Sequence, residues 1–217
     1  MVQPKSIAVL PFVNLSTDPE NEYFSDGMTE EIINALTKVE SLKVTARTSS
    51  FAFKGKDQDI REIARVLGVA NILEGSVRKA GNRVRITAQL IQASDGFHLW
   101  SRNIENELAD IFTLQDDISL LIADQIRENF GHFELQEHLV EPPTTSVEAY
   151  SSYLKGRYHQ LKWNNDDLHK SVDCFKRSVD LDPTYALAYF GLVQSYGIMA
   201  TWAFTEPTLA IQMAGEQ

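Results

Sequence analysis

The chain has 217 residues, of which 43% are hydrophobic and 23% are charged, a composition that is ordinary for a soluble globular protein and argues against disorder. Its formal net charge of −10 argues against nonspecific binding to nucleic acid or to an anionic membrane, although a local basic patch stays open. The single cysteine, Cys174, excludes an intramolecular disulfide and a four-cysteine zinc site. No apolar run approaches the roughly 18 residues that a membrane span needs.

The first part of the chain alternates strand and helix patterns. A short apolar run over Ser6–Asn14 predicts a buried strand. Apolar residues at helical spacing over Tyr23–Val39 predict an amphipathic helix, for which Ser25 and Asp26 are the predicted N-terminal caps. The alternation over Leu42–Arg47 then predicts a half-buried strand.

A second amphipathic helix is predicted over Asp57–Leu67, with Gly68 as its C-terminal stop. A meander of three strands and a longer helix follow, at Asn71–Lys79, Arg83–Gln92, Phe97–Ile104 and Leu108–Phe130. The order β-α-β-α-β-β-β-α predicts an α/β fold, a mixed sheet flanked by helices, over a first domain at residues 6–133.

The pattern changes after this domain. Residues 134–146 (ELQEHLVEPPTTS) are polar, contain a proline pair and lack periodicity, so they predict a linker. No strand pattern remains beyond them. Four helices are predicted, at Val147–Gln160, Asp167–Asp180, Tyr185–Ala200 and Glu206–Met213. We therefore expect a separate, all-helical domain over residues 147–217.

This helical part carries a repeat signature. Its carriers are Ser171, Phe175, Ser178 and Pro183, followed by Tyr189, Leu192 and Tyr196. Their spacing resembles that of tetratricopeptide (TPR) repeats, with serine at 171 and 178 where alanine is usual and Val193 where a small glycine is common. We expect Phe175 to fill the gap between two helices and Pro183 to begin the turn after them.

The first domain also resembles a known module. The segments that carry the resemblance are SIAVLPFVNLSTDPENEYFSDGMTEEIINAL (6–36), ARTSSFAFKGK (46–56), ILEGSVRKAGNRVRITAQLI (72–91) and GFHLW (96–100). In combination they resemble the bacterial module related to the N-terminal domain of TolB. That resemblance implies a mixed sheet flanked by helices, commonly followed by TPR repeats. It also implies a longer parent protein with an upstream class III nucleotide cyclase or winged-helix DNA-binding domain, frequently beyond one membrane span.

Two short polar segments are candidates for a ligand site. Asp26, in the segment Ser25-Asp26-Gly27, would lie at a helix start, where free backbone N–H groups favour anions. Arg47, Ser49 and Ser50 follow a predicted strand and would contact a phosphate or a carboxylate. The alternatives are a capped helix entrance for the first segment and a polar loop bonded to its own backbone for the second.

No coherent catalytic arrangement is predicted. The five histidines lack a metal-binding spacing, and phosphate-binding and nucleophile-elbow motifs are absent from the sequence. Cys174 lies within a predicted helix and is expected to pack as a small apolar residue. The basic residues around the hairpin turn, Arg78, Lys79, Arg83 and Arg85, favour a solvated sheet face over a nucleic-acid patch. We therefore expect no catalytic residue, no metal and no cofactor.

Three hypotheses follow for the function. The leading one is a non-catalytic regulatory and protein-interaction region, whose partner is another protein, a neighbouring domain of the same polypeptide or a second copy. The second is a small-molecule-sensing α/β domain that controls an attached output domain. The third is a fragment of an enzyme whose cyclase residues lie outside this stretch. Contact with nucleic acid and insertion into a membrane are not expected of this chain. Its location is open, although the usual layout of the family favours the extracytoplasmic, periplasmic side.

Overall fold

The computed structural model describes residues 3–130 and 137–202. The chain divides into two compact units, Met1–Glu141 and Pro142–Gln217. Each unit has its own hydrophobic core. In the described ranges, every helix is too short or too polar to cross a membrane.

The first unit is built on a six-stranded mixed sheet. Its strands are β1 (Gln3–Val9), β2 (Val13–Asn14), β3 (Lys43–Val44), β4 (Val69–Ala80), β5 (Arg83–Gln92) and β6 (His98–Glu107). The order in the sheet is β3-β1-β4-β5-β6, and β2 pairs with β4 outside this path. The pairs of β1 with β3, β1 with β4 and β2 with β4 are parallel, whereas β4, β5 and β6 form an antiparallel meander. The predicted mixed α/β fold is confirmed.

Four helices belong to this unit: α1 (Glu22–Thr37), α2 (Arg47–Phe51), α3 (Ile60–Leu67) and α4 (Ile111–Phe130). The connection from β1 to β3 and the connection from β3 to β4 run in opposite directions along the sheet. Right-handed crossovers therefore place α1 and α3 on opposite faces. In agreement with this, Ile63 and Ala64 of α3 pack with Ala8, Leu10 and Ile72, which point to one side of the sheet.

Two predicted strands are shorter than expected. The run Ser6–Asn14 is divided into β1 and β2 around Pro11, which has no N–H for the sheet. The chain nevertheless stays beside β4, because Leu10 N–H donates to Leu73 O and Leu15 N–H donates to Val77 O, both at 2.8 Å. The predicted strand Leu42–Arg47 is reduced to Lys43–Val44, since α2 begins at Arg47.

The hairpin of β4 and β5 follows its prediction. Val84, Ile86, Ala88 and Leu90 are all buried, and the residues between them point to the other face of the sheet. The second predicted helix is α3, and Gly68 ends it in the left-handed conformation with φ +69°. In β5 and α3, the residues that the sequence pattern predicts to be buried are also the residues that pack in the core.

The second unit contains three described helices: α5 (Val147–Gln160), α6 (Asn165–Leu181) and α7 (Ala186–Thr201). Ser146 caps α5 by accepting from the N–H of Ala149, and Asn164 caps α6 by accepting from the N–H of Asp167. The core between the helices is formed by Leu168, Val172, Phe175, Leu192, Tyr196 and Met199. The fourth predicted helix, Glu206–Met213, lies outside the described residues. The assignment of these helices to TPR repeats stays a prediction, as does the linker at residues 134–146.

Candidate functional site

Asp26 does not lie at a helix entrance. A single turn of 3-10 helix at Pro19–Asn21, capped by the Asp18 side chain, leads directly into α1 at Glu22. Ser25 and Asp26 are therefore inside the helix, and both are buried. The prediction that they cap the helix is wrong, and so is the predicted binding loop at the helix start. Serine and aspartate commonly cap helices, so Ser25 and Asp26 gave a misleading signal. The cap is instead supplied by Asp18, before the 3-10 turn that leads into α1.

The segment Arg47–Ser50 is not a polar loop. It forms most of α2, a helix of five residues that ends at Phe51. Ser50 is completely buried, whereas Ser49 is exposed to solvent. The two serines thus point in different directions, and the structure does not bring the four predicted ligand residues together around one space.

Three carboxylates follow one another along α1 at intervals of four residues. We call Glu22, Asp26 and Glu30 the carboxylate stripe of α1, because side chains at this spacing share one helix face. Lys54 Nζ lies 2.6 Å from Glu22 Oε1 and 2.5 Å from Asp26 Oδ1. Arg47 Nε lies 2.9 Å from Glu30 Oε2. Two cations from α2 and the turn after it therefore pair with the three carboxylates of the stripe and tie this segment to α1.

Burial and pairing oppose each other at the centre of the stripe. Burial raises the pKa of the Asp26 carboxyl above its ordinary value, and the hydrogen bond and charge of Lys54 only partly offset this effect. Burial alone would lower the pKa of Lys54, but its hydrogen bonds to Asp26 and Glu22 outweigh burial and raise it. The charged form of the Lys54 ammonium group is thus favoured, whereas the charged form of the Asp26 carboxylate is less stable than in water.

Around these ion pairs the packing is apolar. The guanidinium of Arg47 lies over the ring of Phe51, 3.8 Å from its centroid. The hydroxyl oxygens of Ser25 and Ser50 are buried, and neither has a hydrogen-bond partner among the described residues. A ligand at Arg47 or Asp26 would have to displace an existing ion pair. The arrangement thus ties α2 and the turn after it to α1.

The sequence reasoning missed Glu22 and Lys54. The signal for Glu22 was its spacing of four residues from Asp26, which puts both carboxylates on one face of α1. Lys54 carries no comparable signal, because it lies 28 residues from Asp26, and β3 and α2 come between them in the chain.

Other titratable groups also have structural partners. His138 Nδ1 lies 2.7 Å from Asp116 Oδ2, and His159 Nδ1 lies 2.6 Å from Asp167 Oδ1. Cys174 is partly buried, and this burial raises the pKa of its thiol. Within residues 3–130 and 137–202, no three His, Cys, Asp or Glu side chains are grouped so that they could hold a metal ion.

The basic residues around the hairpin turn are engaged on the sheet itself. Arg83 and Arg85 form ion pairs with Glu105 on the neighbouring strand β6, at 2.6 and 2.7 Å. Arg78 Nε donates to Leu15 O at 3.2 Å. Cross-strand pairs of opposite charge stabilise a solvated sheet face, so this cluster is not an unopposed positive surface.

In the second unit, Phe175 of α6 is completely buried between α5 and α7. A Cβ added at Gly156 of α5 or at Gly191 of α7 would lie 2.6 Å from the Phe175 ring. Both glycines are therefore required for the ring to fit. TPR repeats commonly have a small glycine at the position of Val193, whereas the small residue that faces Phe175 in α7 is Gly191, two residues earlier.

The remaining residues of the repeat signature occupy different environments. Leu192 and Tyr196 are buried with Phe175, Tyr189 is partly buried, and Pro183 is exposed in the connection between α6 and α7. The two signature serines are buried and hydrogen-bonded. Ser171 Oγ lies 2.8 Å from Ser195 Oγ, and Ser178 Oγ donates to Ala149 O at 2.8 Å. Serine at these positions thus joins neighbouring helices through hydrogen bonds.

Several solved structures resemble part of the chain. Lipoprotein GNA1162 from Neisseria meningitidis is 19% identical with a TM-score of 0.41, and the match covers 58% of this chain and 99% of that one. TolB from Acinetobacter baumannii is 13% identical with a TM-score of 0.42, over 58% of this chain and 29% of that one. The C-terminal domain of LpoB from Escherichia coli is 19% identical with a TM-score of 0.40, over 49% of this chain and 85% of that one.

A sequence relative matches more of the chain. A protein of Rhizobium meliloti (strain 1021) named "Putative adenylate cyclase 3" is 43% identical over 187 residues, which are 86% of this chain and 32% of that protein. The chain thus spans about a third of the length of this relative. Because 187 residues exceed the length of either unit, the match includes parts of both.

The family match lies in the first unit. The model described as "HilA/YgeH-like transcriptional regulator, second domain" matches residues 3–121. This stretch contains all six strands and continues into α4. It covers more than half of the sequence. The chain therefore belongs to the HilA/YgeH-like transcriptional regulator family, and its residues 3–121 match the second domain of that family.

Proposed function

We propose that this chain is a non-catalytic regulatory region of a larger bacterial signalling protein. In this proposal the first unit is an accessory domain, and the output domain, a nucleotide cyclase or a DNA-binding domain, is elsewhere in the parent protein. Two findings support a regulatory role: the regulator family of residues 3–121, and the relative named as an adenylate cyclase, of which the matching region is 32%.

The ion pairs of the first unit carry the proposal. The charged groups predicted as ligand contacts, Asp26 and Arg47, are paired with Lys54 and Glu30 within hydrogen-bond distance. A general acid or base has to reach a substrate, and a phosphate-binding arginine has to present its guanidinium to the ligand. These residues instead connect α2 and its turn to α1. Their arrangement favours a scaffold over an active site.

We further propose that the second unit is a TPR-type scaffold for protein binding. Three helices that each pack on the next, a buried aromatic residue in α6 and glycines on both sides of it are what such a stack requires. Leu187, Phe190 and Val193 of α7 are 43–58% exposed. In a stack of TPR repeats, the next helix of the same chain packs against exposed apolar residues of this kind.

The test uses the full-length parent protein and a pair of glycine variants. Gly191→Ala forces a Cβ against Phe175, whereas Gly197→Ala on the same helix meets no atom within 4 Å. We expect the first variant to change the output of the parent, measured as nucleotide cyclisation or DNA binding, without abolishing it. The second variant is expected to behave as wild type. Equal output from all three proteins would contradict the proposed regulatory role.

A further inference from the structure

A cleft of about 450 Å³ lies on the first unit, beside α3. Its floor is formed by side chains from the face of the sheet that also packs against α3. Glu74 and Ser76 come from β4, and Thr87 and Gln89 come from β5. Glu74 is opposite Gln89 in the strand register, and Ser76 is opposite Thr87. We call this space the Glu74 cleft.

The walls of the Glu74 cleft are of two kinds. Leu10 and Pro11, from the connection between β1 and β2, and Val13, the first residue of β2, supply an apolar side. Residues 53–58, between α2 and α3, also line the cleft. A volume of a few hundred cubic ångströms is in the range of small-molecule sites, and the polar side chains of the floor are groups of the kind that fix the orientation of a ligand.

The floor offers hydrogen-bond acceptors. Thr87 Oγ1 donates its proton to Asn103 Oδ1 at 2.7 Å, so toward the cleft this oxygen can only accept. Glu74 is partly buried and is an acceptor when ionised. Among the described residues, no side chain or backbone N–H forms a hydrogen bond or ion pair with its carboxylate. The cleft thus contains a carboxylate that its protein surroundings do not satisfy.

The other charged residues of the cleft are compensated by neighbouring charges, so Glu74 contributes a negative charge that is not compensated. Lys54 lines the cleft, but Glu22 and Asp26 already neutralise it. Lys56 and Asp57 carry opposite charges side by side at the rim. The complementary ligand is therefore a monocation that donates several hydrogen bonds, and a primary ammonium group with its three N–H donors has this chemistry.

We propose that the Glu74 cleft binds a small primary amine, whose ammonium group donates to Glu74 and Thr87 and whose alkyl chain lies along Leu10, Pro11 and Val13. The proposal goes beyond the regulatory role, because it gives the first unit a ligand. It also moves the site of the sensing hypothesis away from Asp26, Arg47, Ser49 and Ser50.

The test is a titration of the whole 217-residue chain, followed by the amide chemical shifts of its ¹⁵N-labelled form. The probes are n-butylamine, which is protonated at neutral pH, and butan-1-ol, which has the same chain length without the charge. We expect butylamine to shift the amides of Glu74, Ser76, Thr87 and Gln89, with an affinity at least about tenfold above that of butan-1-ol.

Two variants locate the effect. Glu74→Gln keeps the shape of the side chain and removes its charge, and we expect it to weaken butylamine binding by about tenfold or more. Glu40→Gln removes an exposed carboxylate outside the cleft and is expected to leave binding unchanged. Thermal midpoints near that of wild type show that both variants are folded.

Three results would overturn the proposal: equal binding of both probes, unchanged binding in the Glu74→Gln variant, or the absence of floor shifts up to about 100 mM butylamine. The titration does not depend on any partner or output domain. Its failure would therefore leave the proposed regulatory role standing, and failure of the regulatory role would leave this result standing.

Discussion

Lys54 Nζ lies 2.5 Å from Asp26 Oδ1. Asp26 is the central residue of the carboxylate stripe of α1, and it is less exposed than Glu22 and Glu30 on either side of it. This contact links α1 to the turn after α2, two segments that are separated by β3 in the sequence. This contact determines how the candidate ligand residues of the first unit are interpreted, because it pairs the most buried carboxylate of the stripe.

Removal of the Lys54 charge should destabilise the first unit. In the Lys54→Gln variant, the buried Asp26 carboxylate loses its main counter-cation, and an unsatisfied buried group of this kind costs roughly 1–3 kcal/mol. The free energy of unfolding at pH 7, from urea denaturation, measures the loss. The double variant Lys54→Gln with Asp26→Asn should recover much of it, because the unpaired charge is then absent. A double variant less stable than Lys54→Gln would contradict this explanation.

The Asp26 carboxyl should also give a characteristic pH dependence. Its pKa in the folded protein is raised above the ordinary value of 3.8, so the native state takes up this proton before the unfolded state does. The contribution of this group to stability is therefore largest below pH 3.8 and is lost as the pH rises through the folded pKa. The stability difference between wild type and Asp26→Asn should shift in favour of wild type as the pH falls toward 4. A difference independent of pH would show that burial does not perturb Asp26.

Two glycines of α7 predict opposite effects of the same substitution to alanine. Gly191→Ala puts a Cβ 2.6 Å from the ring and should destabilise the second unit by roughly 1–3 kcal/mol. Gly197→Ala lies in the interior of α7 with open space around the added carbon, so it should stabilise the unit by up to about 1 kcal/mol. Thermal denaturation measures both. The same sign for the two variants would show that the close approach of α7 to Phe175 is wrong.

Truncation of the ring tests the same core from the other side. Phe175→Ala leaves a cavity between α5, α6 and α7 and should cost about 3–5 kcal/mol. Chemical shifts of the first unit should change little, since each unit has its own core. An unchanged melting temperature would place Phe175 outside the packing that we describe.

Asp116 fastens the chain that follows α4. Its Oδ1 accepts the backbone N–H groups of Leu139 and Val140 at 2.7 and 2.8 Å, and Leu139 is buried. In the Asp116→Ala variant, the amides of Leu139 and Val140 should lose their protection from hydrogen exchange, while amides within the β4–β5 hairpin keep theirs. Retained protection at both amides would show that burial of Leu139 alone holds this segment.

His138 adds a pH-dependent part to the same contact. Its hydrogen bond to Asp116 raises the pKa of the imidazole above 6.5. The resulting stabilisation is fully present below pH 6.5 and is lost as the pH rises through the folded pKa. His138→Gln should therefore increase exchange at Leu139 more at pH 6 than at pH 9. An effect that grows toward alkaline pH would contradict the ion pair.

The sequence correctly predicted those parts of the fold in which a single periodic pattern of apolar residues determines the secondary structure and the buried face. Val84 to Leu90 alternate in and out of a core, so their strand and its register follow from the residue types alone. The start of α1 was predicted wrongly because Asp18, Ser25 and Asp26 are all acceptable caps. In the structure Asp18 caps the 3-10 turn that leads into α1. The partners of Asp26 and the glycines that admit Phe175 come from distant parts of the chain, and a local pattern does not contain them.

We propose that the charged residues of α1, α2 and the turn after α2 hold these segments in place and perform no chemistry. The most direct measurement is nucleotide turnover by the purified 217-residue chain, supplied with ATP or GTP and with Mg²⁺ or Mn²⁺. We predict no cyclic nucleotide and no other product above the level of a buffer control. Metal-dependent turnover that survives repurification, and that is lost in the Arg47→Ala variant, would contradict the account.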